Sequence, residues 1–174
     1  MPSAMTSKLS LLLLTGLAAA MPTMASADAL GPEAAACRSG SQTPAVRVLL
    51  SGFKKRVGEV QFRVYDDPRR FLAKGQRLKR VKVPVTASGP FEVCIALPKA
   101  GRYAIAVHHD LEADGSKGWN DGGAYSGNPR LSLLRLKPTF DQAAFAVGSQ
   151  PTLVRITLLY RQGLSIGPVA HPIE

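Results

Sequence analysis

The stretch "GEVQFRVYDD" alternates apolar and polar residues with a period of two, placing Val60, Phe62 and Val64 on one side and Gln61 and Arg63 on the other. That period belongs to a strand with one buried and one wet face, and it recurs along most of the chain. "VRVLLSG" sets Val46, Val48 and Leu50 together, "RVKVPV" sets Val81, Val83 and Val85, and "GRYAIAVHH" sets Tyr103, Ile105 and Val107. "FEVCIAL" places Phe91, Val93, Ile95 and Leu97 on one face; "AAFAV" and "TLVRITLLY" follow, the last with Val154, Ile156, Leu158 and Tyr160. Pro84 cannot donate to a ladder, which marks its strand as an edge. Only "TFDQAAF" reads as a turn of helix, with Asp141 as its cap. About seven short strands separated by turn residues predict an all-β fold, a single antiparallel β-sandwich over residues 45–162.

The two ends read differently. Lys8 and the apolar run "LSLLLLTGLAAA", followed by small residues at Ala25 and Ala27, have the form of a signal peptide over residues 1–27. The run is shorter than the roughly 20 residues a membrane span needs. A chain cleaved there is periplasmic or extracellular, has no transmembrane segment, and retains 174 − 27 = 147 residues. Residues 28–44, rich in Ala, Gly, Ser and Pro, read as a flexible leader, and residues 163–174 as a loose tail.

Charge narrows the partners. The 22 Lys and Arg against 12 Asp and Glu give a net charge of +10, with local concentration in "FKKRV" and between Arg69 and Lys82. Such a surplus favours anionic partners, among them acidic glycans and lipopolysaccharide. A basic surface with no specific ligand reads the same way. Few aromatic residues are interleaved with the basic ones, so specific nucleic-acid binding is not expected.

The two cysteines, Cys37 and Cys94, are expected to form a disulfide, as is usual in an exported chain. Cys94 lies opposite the apolar face of "FEVCIAL", so the bridge would tie the leader across the outside of a sheet. Two unpaired thiols are the alternative.

The ordered motifs "LPKAGRYAIAVHHDLEADGSKGWNDGG", "YSGNP", "KPTFDQAAFAV" and "VRITLLYR" resemble a family of secreted bacterial proteins, the domain-of-unknown-function family 2141. The resemblance covers Val46 to Tyr160. It implies a small Ig-like or transthyretin-like sandwich and an exported location, and it carries no settled activity. Where relatives have Asn, this chain has Glu112 and Asp114, which makes the loop more acidic than the pattern.

That loop, "HHDLEADGSKGWNDGG", holds the candidate site. Counting Asp110 as the first position, Glu112 is third, Asp114 fifth, Gly115 sixth, the Ser116 carbonyl seventh and Asp121 twelfth, the spacing of a calcium loop. Calcium is therefore the cofactor the pattern admits. The competing reading is a polar turn whose Asp side chains bond their own backbone amides. His108 and His109 point to opposite faces of a strand and cannot chelate one ion together. His109 continues the core face beside Asp110, where it could at most join the loop carboxylates.

Trp119, Tyr125 and Asn128 are the candidate ligand-binding residues, since aromatic side chains on a Gly-rich loop can stack on a sugar or anchor a partner. Alternatively the Trp folds back over one end of the sandwich. "GAYSGN" around Ser126 is not a nucleophile elbow, and no catalytic residue is assigned. The expectation is an exported, non-enzymatic module that binds or scaffolds in the cell envelope through residues 110–128. A small metal- or carboxylate-dependent envelope hydrolase is the alternative.

Overall fold

The computed structural model describes Met1 and residues 29–173; the expected signal peptide, residues 1–27, lies outside the described residues apart from Met1. Among the described residues there are ten strands, arranged in two sheets, and almost no helix. The strands are β1 (Ala45–Ser51), β2 (Glu59–Tyr65), β3 (Lys79–Pro84), β4 (Phe91–Ala96), β5 (Gly101–Asp110), β6 (Gly122–Tyr125), β7 (Ala144–Val147), β8 (Thr152–Thr157), β9 (Leu159–Gln162) and β10 (Ser165–Gly167). The small sheet has the order β4-β1-β8. The large one runs β10-β9-β6-β5-β2-β3, with β7 also paired to β5.

Pairing follows the alternation. Val46, Val48 and Leu50 of β1 face Ile95, Val93 and Phe91 of β4. Val60, Phe62 and Val64 of β2 sit opposite His109, Val107 and Ile105 of β5. These side chains from both sheets form one buried core, as expected of a sandwich. β3 is the outer strand of its sheet, where Pro84 costs no ladder bond. One pair departs from the antiparallel rule: β8 runs parallel to β1.

The stretch "TLVRITLLY" is not one strand. β8 belongs to the small sheet and β9 to the large one, and the chain crosses between them at the fully buried Leu158, whose amide bonds Ser51 O at 2.9 Å. Ile156, Leu158 and Tyr160 keep facing the core through the corner. β6 and β7 lie in tandem along the same edge of β5, and Ser126 fills the step between them. Its hydroxyl accepts from Ile105 N at 2.8 Å and donates to Ala143 O.

The short α-helical turn α1 (Phe140–Ala143) is capped by Thr139 in a reciprocal box with Gln142. Asp141, expected as the cap, instead lies in the first turn and pairs with Arg102 at 2.9 Å. A second, smaller cluster of Tyr65, Ala104, Ala106, Phe140 and Ala143 covers part of the large sheet's outer face.

Cys37 and Cys94 are joined in a disulfide with Cα atoms 5.9 Å apart. Cys37 ends a short 3-10 turn (Ala34–Cys37) that lies over β4. Leu30 bridges Val93, and Glu33 bonds both Lys79 Nζ and the Ala96 amide, so residues 30–37 are tied to the sandwich. At the other end, residues 163–174, read as a loose tail, include β10 paired with β9. The Ile173 amide also bonds Phe53 O at 2.9 Å. Among the described residues no helix is long and apolar enough to cross a membrane.

Candidate functional site

β5 stays paired with β2 as far as Asp110 and leads directly into the acidic loop. Its alternation sends His109 inward and His108 and Asp110 to the outer face. Asp110 is nonetheless buried, because the chain closes over it: Gly58 has φ +78° and so little room that a Cβ there would lie 2.1 Å from Asp110 O. Only glycine fits that approach.

The loop acids bind backbone amides. Asp110 accepts from Gly115 N at 2.7 Å and Asp114 N at 3.3 Å. Asp121 accepts from Gly118 N at 2.7 Å, Leu111 N at 3.2 Å and His108 Nε2 at 2.9 Å. Burial works against its ionised form, yet the amides and His108 outweigh it and hold the carboxyl below its ordinary range. Asp121 thereby clasps both arms of the loop.

Of the expected metal ligands, the structure brings together Asp110, Glu112 and Asp121, each offering an oxygen within 4.8 Å of the others. Asp114 does not join them. Its side chain turns to the Ser116 amide at 2.8 Å, and that bond lowers its pKa. The described groups form a polar turn that holds its shape through carboxylate–amide bonds.

His109 is fully buried and bonded at both nitrogens: Nε2 to Val57 O at 2.8 Å and Nδ1 to the Tyr160 hydroxyl at 2.6 Å. A carbonyl can only accept, so Nε2 carries the hydrogen and neutral Nδ1 accepts from Tyr160. Desolvation pushes the His109 pKa down, with the Val57 bond opposing. Burial raises the Tyr160 hydroxyl to about 12, so it stays a donor. Tyr160 packs over Gly122, where a Cβ would lie 2.6 Å from the ring.

Trp119 is 76% exposed and does not cover the sandwich; the Arg161 guanidinium stacks 3.6 Å from its ring centroid. Tyr125 donates to Leu136 O at 3.2 Å. Asn128 spends its side-chain amide on the backbone of β8, donating to Arg155 O at 3.1 Å and accepting from Thr157 N at 2.9 Å. Ser126 is buried with its hydroxyl committed to β5 and Ala143, a structural post rather than an exposed nucleophile.

Sequence reasoning missed a groove of about 280 Å³ on the outer face beside the loop, walled by Arg63, His108, Lys117, Tyr125, Leu159 and Arg161 among others. Register builds it: Arg63 and Tyr125 flank Ala106, and Gly123 lies between His108 and Leu159. The small residues leave space that larger side chains would fill. The outward position of Arg63 in "VQFRV" was a visible signal, without its partners.

The family model described as "uncharacterized protein conserved in bacteria (DUF2141)" matches residues 48–155, more than half of the chain. The chain belongs to this family. The DUF2141 match begins within β1 and ends within β8, so it contains the whole acidic loop and the Arg63 and Tyr125 walls of the groove. No curated protein and no solved structure matches the chain.

Proposed function

We propose that this DUF2141 protein is an exported, non-enzymatic binding module of the cell envelope, working through the surface formed by residues 110–128 and taking an anionic glycan or lipopolysaccharide. One observation carries the reading. Trp119 projects into solvent with Arg161 stacked on it, on a loop that Asp110 and Asp121 already hold in shape. An exposed aromatic ring beside a fixed cation suits a sugar face bearing an acidic group, and a preshaped loop loses little entropy on binding. The buried, fully bonded His109 and Ser126 weigh against the hydrolase alternative.

Retention on immobilised heparin and lipopolysaccharide tests this. Trp119→Ala should elute earlier than wild type, and about 0.5 M salt should release both proteins, since screening then acts within a few ångströms. Retention indifferent to salt and to Trp119 would reject the reading. So would hydrolytic turnover that Asp110→Asn abolishes.

A second reading, calcium dependence of the same loop, rests on the convergence of Asp110, Glu112 and Asp121.

A further inference from the structure

Arg63 lies in the middle of β2, directed to the outer face, and its Nε is shut off from solvent with no hydrogen-bond partner among the described residues. A buried donor left unpaired is costly, and more so on a charged group. Among the described residues neither Arg63 nor Lys117 forms an ion pair. Both line the groove at the acidic loop, where the lining carboxylate, Asp121, is already bonded to His108 and Gly118. Lys117 is held below its ordinary pKa, first by lost hydration and then by the like charges of Arg63 and Lys137. The recess thus gathers Arg63, Lys117 and Arg161, while its lining carboxylate, Asp121, is committed to His108 and two backbone amides.

One wall of the recess is apolar. Leu131, Leu136, Leu159 and Ile166 line it, and three of them continue into an adjoining groove of about 450 Å³ with Pro129 and Pro168. Leu134, in the loop that supplies Leu131 and Leu136, is fully exposed, and Leu164 in the β9–β10 turn is 92% exposed. A cationic end and an apolar trough in one channel are complementary to a molecule with the same two parts.

We propose that this groove binds a single-chain amphiphile with an anionic head, the head between Arg63 and Lys117 and the chain along Leu131, Leu136, Leu159 and Ile166. A carboxylate or a phosphate monoester supplies the same head chemistry. The groove shares Lys117 and Tyr125 with the 110–128 segment and borders Trp119 through Arg161, but its ligand needs neither the Trp119 ring nor a glycan.

Calorimetric titration of the purified protein with monomeric dodecanoate, dodecyl phosphate, dodecanol and acetate tests the proposal. Dodecanoate and dodecyl phosphate should bind one per chain and perturb the emission of the single tryptophan, Trp119, through Arg161 at the groove wall. Dodecanol should bind at least about tenfold more weakly, the worth of a charge-assisted hydrogen bond, and acetate should give no heat at the same concentration. Arg63→Gln and Lys117→Gln should each weaken dodecanoate by about tenfold or more without lowering the melting temperature. Trp119→Ala should keep dodecanoate affinity while eluting earlier from heparin, so either reading can fail alone. Equal affinity for dodecanol, acetate binding as tight as dodecanoate, or unchanged affinity in both charge variants would overturn the proposal. Binding to anionic phospholipid vesicles with none to monomeric dodecanoate would assign the surface to bilayer docking and overturn it too.

Discussion

Tyr160 donates its hydroxyl hydrogen to Nδ1 of His109 across 2.6 Å in the buried core, joining β9 to β5 with β6 between them. The bond fixes the neutral form of the imidazole, because the opposite nitrogen is occupied by Val57 O. Tyr160→Phe keeps the ring over Gly122 and removes the hydroxyl. An unmet buried acceptor costs about 1–3 kcal/mol. The urea midpoint should fall accordingly with the slope unchanged, and an unaltered midpoint would show that the bond contributes nothing.

The same residue gives the fold a pH dependence. Burial lowers the folded-state pKa of His109 below its ordinary 6.5, so between those values the unfolded chain binds more protons than the native one. Stability therefore rises with pH across that window. The contribution is complete above pH 6.5 and lost as pH falls through the folded value. Unfolding measured from pH 7.5 downward should lose stability more steeply in wild type than in His109→Gln. Parallel curves would contradict a neutral, buried imidazole.

The Cys37–Cys94 disulfide closes 57 residues of chain and secures the leader to β4. In the chain-entropy model a closure of that size stabilises by about 4 kcal/mol. Protein alkylated without reduction should carry no label on either cysteine by mass spectrometry. Cys37→Ser with Cys94→Ser should lower the unfolding free energy by up to that amount, and labelling of both cysteines in the native sequence would refute the bridge.

What could be read from the sequence was what alternation records. Val60, Phe62 and Val64, or Tyr103, Ile105 and Val107, announce their strand and inward face without any partner, and Pro84 announces an edge. β6 could not be read, since "GGAY" has no side-chain pattern; it is a strand because Gly122 makes room for Tyr160, far away in sequence. The corner at Leu158 is equally silent, because alternation continues through a strand that changes sheets while facing the same core. At the site, Asp110, Glu112 and Asp121 lie close together. Asp114 fell out because its carboxylate finds the Ser116 amide within its own turn. The groove depends on Arg63, Lys117 and Arg161 arriving from three separate segments, which strand register decides and local sequence does not.

The acidic loop makes the last prediction. Asp121 accepts three N–H bonds and Asp110 two, leaving Asp121 with little free acceptor capacity. Calcium takes 6–8 oxygens, and the three converging side chains supply only part of such a shell. Bonds to backbone amides also stabilise the carboxylates without a cation. Millimolar calcium should therefore leave the melting temperature where it is, and Asp114→Ala should leave it unchanged with or without the ion. Asp121→Asn is different in kind, because the amide nitrogen cannot accept from both Gly118 N and His108 Nε2. Charge-assisted bonds of this type are each worth about 1.5–3 kcal/mol, so this variant should melt well below wild type in the absence of any metal. The opposite pattern would be a calcium-induced rise approaching about 2.7 kcal/mol at a hundred times the dissociation constant, abolished by Asp121→Asn. It would mean that the amide bonds yield to the ion and that the loop is a calcium site after all.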